Sequence, residues 1–246
     1  MKLSRMQIKM ICAVYMVAAH ILFCFYYKEH ILFRAVYTIG EFVPFLFTYF
    51  VADGFSLTSN KFRYGCRLLI FGLISQPLYM IAINSNRNRL NIIITFALSV
   101  FFLLLFESKT SIFTKSLGAA FFLAAMYHCE GKYVFFLIIL CVYLCNKRKL
   151  SLEKKFLYSG LIFVGYHFID EILLYKNLYM FIYSMQCLFG IMIAYLLIKN
   201  HYDPNKRNYT KKSRYLFYCI YPMHYFLIMG IHLMQYWGYL PKAVFN

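Results

Sequence analysis

Apolar residues run along this chain in long blocks, from Met6 to Trp237, and each block ends in a short cluster of cations, asparagines or prolines. The blocks cover about 6–27, 31–51, 64–83, 90–107, 111–127, 131–146, 154–174, 177–198 and 215–237. A membrane-crossing helix needs roughly 20 apolar residues, so most of the blocks have spanning length, and the fifth and sixth are the shortest. Strands of a membrane barrel alternate apolar and polar positions over about ten residues, and these blocks do not alternate. The pattern predicts an all-α polytopic membrane helix bundle of about nine transmembrane helices, folded as one integral membrane domain over 1–246. Three spans carry internal prolines: Pro44 removes a backbone hydrogen bond in span two, Gln76-Pro77 breaks span three, and Pro222 kinks span nine beside Tyr221.

Composition agrees and removes the soluble classes. The chain is 62% hydrophobic and 14% charged with a mean hydropathy of +0.60, whereas a soluble domain carries about 25% charged residues. The net charge of +17 invites a nucleic-acid reading, but its distribution argues against one. With nine spans, 19 of the 26 cations fall on one side, in the N-terminus and the loops after spans two, four, six and eight. Lys28, Arg34, Arg87, Arg89, Lys132, Lys176 and Lys242 fall on the other. The positive-inside rule then puts the N-terminus in the cytoplasm and the C-terminus outside, in a cell membrane crossed an odd number of times. The expected partner of the basic loops is anionic lipid, not nucleic acid.

The N-terminus resembles a signal peptide, yet His20 interrupts its apolar run and no small-x-small cleavage site follows, so it reads as a retained first helix. The eight cysteines form no CxxC pair and read as apolar packing. The chain has no Walker loop, no G-x-G-x-x-G and no H-E-x-x-H, and no metal is implied.

Function therefore rests on polar residues within or beside the spans, where polar groups are costly. Each has an ordinary reading beside the functional one. His20 in span one is a packed histidine or a base. Glu41 lies mid-span and needs a partner or a water-filled cavity. Asp53-Gly54 ends span two at the interface. Arg63 and Arg67, four apart, share a helix face and either anchor the interface or bind an anion. Gln76, Asn91 and Thr95 sit near a chain break, with Asn91 and Thr95 on one face. His167, Asp170 and Glu171 cluster at the end of span seven, with a His167–Asp170 pair within reach beside the alternative of a solvated patch. His224 lies within one turn of Tyr221 and Pro222.

Taken in order, several of these positions carry a resemblance. Pro44-Phe45-Leu46-Phe47, Ala52-Asp53-Gly54-Phe55, Arg67-Leu68-Leu69, Ser75-Gln76, Asn91-x-x-x-Thr95 and Tyr221-Pro222-Met223-His224 resemble the TraX family of multi-spanning membrane proteins, named for the conjugal pilin acetylase. The resemblance covers about 10–235 and is densest over 44–95. This chain departs from the family pattern in having Ala19 where an acid precedes the first-span histidine, and Asp53 where the family has glutamate.

The resemblance implies transfer of an acetyl group from acetyl-CoA to an amine such as a peptide N-terminus, with a peptide or glycan as acceptor. His20 is then the first choice of base and His224 the second, because imidazole titrates near neutrality. Asn91, Gln76 and Arg67 are donors for a developing oxyanion. Arg63 and Arg67 bind coenzyme A phosphates, with Asp53 holding Arg67. Glu41, Thr95 and Tyr221 line the cavity. Two alternatives remain open: a small-molecule transporter built around a broken helix, and a non-enzymatic immunity or assembly partner.

Overall fold

The computed structural model describes residues 2–25, 31–82, 89–203, 206 and 211–240; the side chains of 179–180, 183 and 211–217 are not described. Lys28, Arg87, Arg207 and Lys242 of the charge pattern fall outside the described residues. The helices, in order, are α1 (Arg5–Phe23), α2 (Ile31–Gly40), α3 (Phe42–Leu57), α4 (Lys61–Ala82), α5 (Ile92–Glu107), α6 (Ile112–Tyr127), α7 (Lys132–Lys147), α8 (Leu152–His167), α9 (Leu178–Gln186), α10 (Leu188–His201) and α11 (Lys211–Tyr236). Helix α8 continues as a π-helical stretch, Phe168–Leu174. Only Glu41 separates α2 from α3, and only Cys187 separates α9 from α10. With those two joins the described helices occupy the nine predicted blocks, and no strand forms among the described residues beyond two isolated bridges. Arg5–Phe23, Ile31–Leu57, Lys61–Ala82 and Leu152–Leu174 are long and apolar enough to cross a membrane. Helix α6 is shorter and turns Phe113, Leu117 and Phe121 outward.

The prolines act differently from one another. Pro44 lies in the first turn of α3, where its missing N–H costs nothing, and its ring opposes continuation from Gly40. Span two is thus interrupted by a single turn residue, Glu41, while Ile31–Leu57 as a whole keeps spanning length. Pro77, expected to break span three, does not: α4 runs through it unbroken, as α11 runs through Pro222. Neighbouring groups in a bundle re-satisfy a proline's freed carbonyl, so a transmembrane helix tolerates the residue.

The chain divides into two compact units, residues 1–46, 81–84 and 178–246, and residues 47–80 and 85–177. In the first, α1 packs on α2 and α11, and α10 packs on α2. Tyr15 donates to the Val36 carbonyl at 2.7 Å and meets the Phe42 ring edge-on at 5.1 Å. Gly190, near the start of α10, abuts the break at Glu41 so closely that an added Cβ would lie 2.7 Å from backbone atoms of both Glu41 and Phe42. At one end of the unit Leu3 bridges to Tyr202. At the other, Gln235 Nε2 donates to the Cys24 carbonyl at 2.9 Å.

In the second unit α5 is the central element, with Ile93, Ile94, Ala97, Val100 and Leu103 buried. It packs on α6 and α7, and α7 packs on α8. Helix α4 approaches α5 through Gly65 and Gly72, which face Val100 and Ile94. One end gathers Lys61, Glu107 and Tyr143, with Lys61 Nζ 2.5 Å and Tyr143 OH 2.7 Å from the Glu107 carboxylate. The opposite end gathers Leu90, His128, Glu130, Lys132 and Asp170. The successive helices of this unit therefore alternate in direction.

Replacing Gly190 by alanine is expected to lower the thermal stability of the detergent-purified protein, by about 1–3 kcal/mol, because backbone and not a flexible side chain must move. Gly160→Ala, where an added Cβ meets nothing, should be neutral or stabilising by up to about 1 kcal/mol in helix propensity. Equal melting temperatures for the two variants would contradict the close approach.

Candidate active site

Two histidines meet in the first unit. His20, half-buried in the last turn of α1, and His224, 3% exposed in α11, have ring centroids 5.1 Å apart. His20 Nδ1 lies 2.9 Å from the carbonyl of Met16, one turn back. A carbonyl only accepts, so Nδ1 carries the hydrogen, and the neutral ring keeps its lone pair on Nε2. The Met16 carbonyl thus orients the ring in a chain that has Ala19 in place of a preceding acid. His224 has neither ring nitrogen in a hydrogen bond among the described residues, although the Ile220 and Tyr221 carbonyls lie nearby. Its ring packs 3.8 Å from Tyr225 and 5.2 Å from Tyr221, and the two tyrosine hydroxyls are 3.0 Å apart. A buried ring nitrogen without a partner is costly and marks a place where a bound group would complete the bonding.

The structure gathers Gln76, Asn91 and Thr95 in the second unit, where the three close a helix end. The start of α5 has N–H groups with no intrahelical partner, and in an apolar surrounding each needs an acceptor. Asn91 Oδ1 accepts from Ile93 and Ile94 at 3.1 and 3.3 Å, and Glu130 Oε2 accepts from Ile92 at 3.1 Å. The Asn91 amide donates to the Gly72 carbonyl and to Gln76 Oε1 at 2.8 and 2.9 Å, and Asn91 N–H also reaches Gln76 Oε1 at 2.8 Å. Gln76 Nε2 donates to the Arg89 carbonyl at 2.9 Å, and Thr95 Oγ1 to the Glu130 carbonyl at 3.0 Å. Both amide hydrogens of fully buried Asn91 are committed, so neither remains for the oxyanion expected of it. The network is a cap that ties α4, α5 and the loop before α7 together.

Asp53, Arg63 and Arg67 flank the turn from α3 to α4. Asn60 caps α4 by accepting from the Arg63 N–H at 2.8 Å, while the Arg63 side chain is exposed. Arg67 is half-buried, and its Nε is buried with no acceptor among the described residues. Asp53 is half-buried in α3. Glu41 occupies the α2–α3 break in the first unit, beside Gly190. The predicted site residues thus fall into three groups: the histidine pair with Tyr221, the α5 cap, and the residues around the α3–α4 turn. Glu41 belongs to the first unit.

Other groups escaped the sequence pattern. Tyr225 packs against both histidines, and its spacing one turn from Tyr221 was the available signal. His167 pairs with Glu171 at 3.0 Å, and not with Asp170, which instead meets Lys132 at 3.4 Å. The four-residue offset puts His167 and Glu171 on one face, and the π-helical turn that follows swings Asp170 toward α7. Glu130 carried no sequence signal as a cap, because its partner Ile92 lies 38 positions away.

Residues 4–232 match the family described as TraX protein. A curated relative, the probable fimbrial assembly protein FimC, serogroup H1, of Dichelobacter nodosus, is 28% identical over 240 residues, covering 92% of this chain and 94% of the relative. No solved structure matches the chain.

Burial in the loop before α7 pushes the Glu130 carboxyl up to about 7, against the opposing pull of the Ile92 N–H and the Arg89 charge. The folded protein then holds this proton to higher pH than the unfolded chain does. Between about 4.5 and about 7 the folded state binds more protons, so stability falls as pH rises through that window. Melting curves from pH 5 to pH 8 should show this loss in the wild type. Glu130→Gln, which keeps an acceptor for Ile92, should flatten it; identical slopes for the two proteins would contradict the assignment.

Proposed function

The chain belongs to the TraX family, and from that premise we propose that it is a membrane-bound acetyltransferase which moves an acetyl group from acetyl-CoA to an amine of a pilin-type or other secreted peptide. The observation that carries the reading is the histidine pair. One ring is fixed by the Met16 carbonyl with its Nε2 lone pair free, and it faces a second, buried ring without hydrogen-bond partners among the described residues. The fimbrial-assembly name of the relative fits a pilin-type acceptor. In the proposed reaction the acceptor nitrogen attacks the acetyl carbonyl carbon while His20 Nε2 takes its proton. The carbon–sulfur bond then breaks, and the imidazolium returns the proton to the leaving thiolate, giving an amide and free coenzyme A.

His224, its ring centroid 5.1 Å from that of His20, supplies a hydrogen-bonding group for the developing oxyanion, and Tyr221 and Tyr225 pack on His224 and line the same place. Arg67, whose Nε is buried with no acceptor among the described residues, suits a phosphate oxygen of coenzyme A, with Arg63 and Asp53 at the same turn. Glu41, at the turn between α2 and α3, is the remaining residue proposed to line the cavity. The excess of cations in the N-terminal and even-numbered loops supports an N-terminus on the cytoplasmic side of the cell membrane, where acetyl-CoA is made.

The interruption at Glu41 is the feature that favours transport instead, since discontinuous helices line many transport sites. Proteoliposomes supplied with acetyl-labelled acetyl-CoA and a pilin-type peptide discriminate. His20→Ala should lower transfer by at least about 100-fold while the protein stays folded, and His224→Ala should lower it less. Full activity in both variants would remove the histidine pair from the reaction. Coenzyme A binding that disappears in Arg67→Ala would favour the enzyme, and peptide or solute flux without acetylation would favour the transporter.

A further inference from the structure

The N-terminal end of the first unit joins two cationic segments that lie far apart in sequence. The Leu3 N–H donates to the His201 carbonyl at 2.6 Å, and the Asp203 N–H donates back to the Leu3 carbonyl at 2.9 Å. Ser4 is fully buried and closes the start of α1 by a reciprocal cap: its Oγ accepts from the Gln7 N–H at 3.3 Å, and its own N–H reaches Gln7 Oε1 at 2.9 Å. Lys206 Nζ donates to the Lys2 carbonyl at 2.8 Å. Arg5 Nη2 donates to the Tyr202 hydroxyl at 3.3 Å, and Lys199 Nζ reaches the Tyr195 hydroxyl at 2.7 Å.

The two segments, residues 1–10 and 199–214, contain nine lysines and arginines and a single carboxylate, Asp203. Orientation in the membrane needs only a count of positive charges in the loops. It does not need a backbone bridge between the segment before α1 and the loop after α10, nor a guanidinium held by a tyrosine. The strap brings Lys2, Arg5, Lys199 and Lys206, from two distant segments, to one end of the unit. Phosphate oxygens are the natural complement of these cations, because arginine forms paired hydrogen bonds to them and lysine adds point charge.

We propose that this strapped end, built from Lys2, Arg5, Lys199, Tyr202 and Lys206, is a binding site for a group carrying several phosphate oxygens, either the nucleotide part of a coenzyme A donor or the headgroup of an anionic lipid. Phosphate binding here stands apart from acetyl transfer, and only the nucleotide source bears on that reaction.

The test uses the full-length protein in phosphatidylcholine nanodiscs. One arm titrates adenosine 3′,5′-bisphosphate, and the other measures enrichment of phosphatidylglycerol from a mixed bilayer by mass spectrometry. At least one probe should bind. The triple variant Lys2→Gln/Arg5→Gln/Lys206→Gln should weaken that binding by about tenfold or more. Tyr202→Phe, which keeps every charge and the backbone strap, should weaken it severalfold. Bisphosphate binding identifies the nucleotide source, and phosphatidylglycerol enrichment alone identifies the lipid. Binding of neither probe, or unchanged binding in the triple variant, overturns the site. Loss in the triple variant with no change in Tyr202→Phe overturns the built geometry and leaves bulk charge.

Discussion

The start of α5 shows the constraint on which the rest of the architecture depends: inside an apolar bundle, each exposed backbone N–H must find an acceptor from the chain itself. Asn91 and Glu130 close three N–H groups there, and Gln76 closes the N–H and amide of Asn91 in turn. The same demand recurs at the start of α1, met by Ser4 and Gln7. Polar side chains in this protein are scarce, and many are used to end helices.

That use separates two kinds of polar residue that look alike in a hydropathy profile. A cap residue has its donors and acceptors filled by nearby backbone, as Asn91 does. A residue suited to a ligand keeps a buried polar atom without a partner among the described residues, as His224 and Arg67 do. The distinction moves the weight of the proposed chemistry from the α4–α5 region to the contact of α1 with α11. It also gives Thr95 and Gln76 a structural task strong enough to explain why they stand at those positions.

Close backbone approach is the second organising feature. Gly190 lets α10 settle against the α2–α3 break, and Gly65 and Gly72 let α4 settle on α5. Helices in lipid gain little from burying apolar side chains against one another, so van der Waals contact through small residues carries more of the packing. The break at Glu41 is therefore held in place by a neighbouring helix, which makes it a fixed feature of the first unit.

The helical blocks and the membrane class were legible in the sequence, because the length of an apolar block answers directly to bilayer thickness. The histidines that carry the proposed chemistry were legible too, as polar residues in apolar blocks. Their meeting was not: His20 and His224 lie 204 positions apart, and only the packing of α1 against α11 sets their rings 5.1 Å from one another. The sequence equally could not tell that Asn91 is a cap, that Pro77 leaves α4 intact, or that His167 chooses Glu171 over Asp170. Each of those outcomes depends on which partner atoms stand within about 3 Å, and tertiary structure alone decides that.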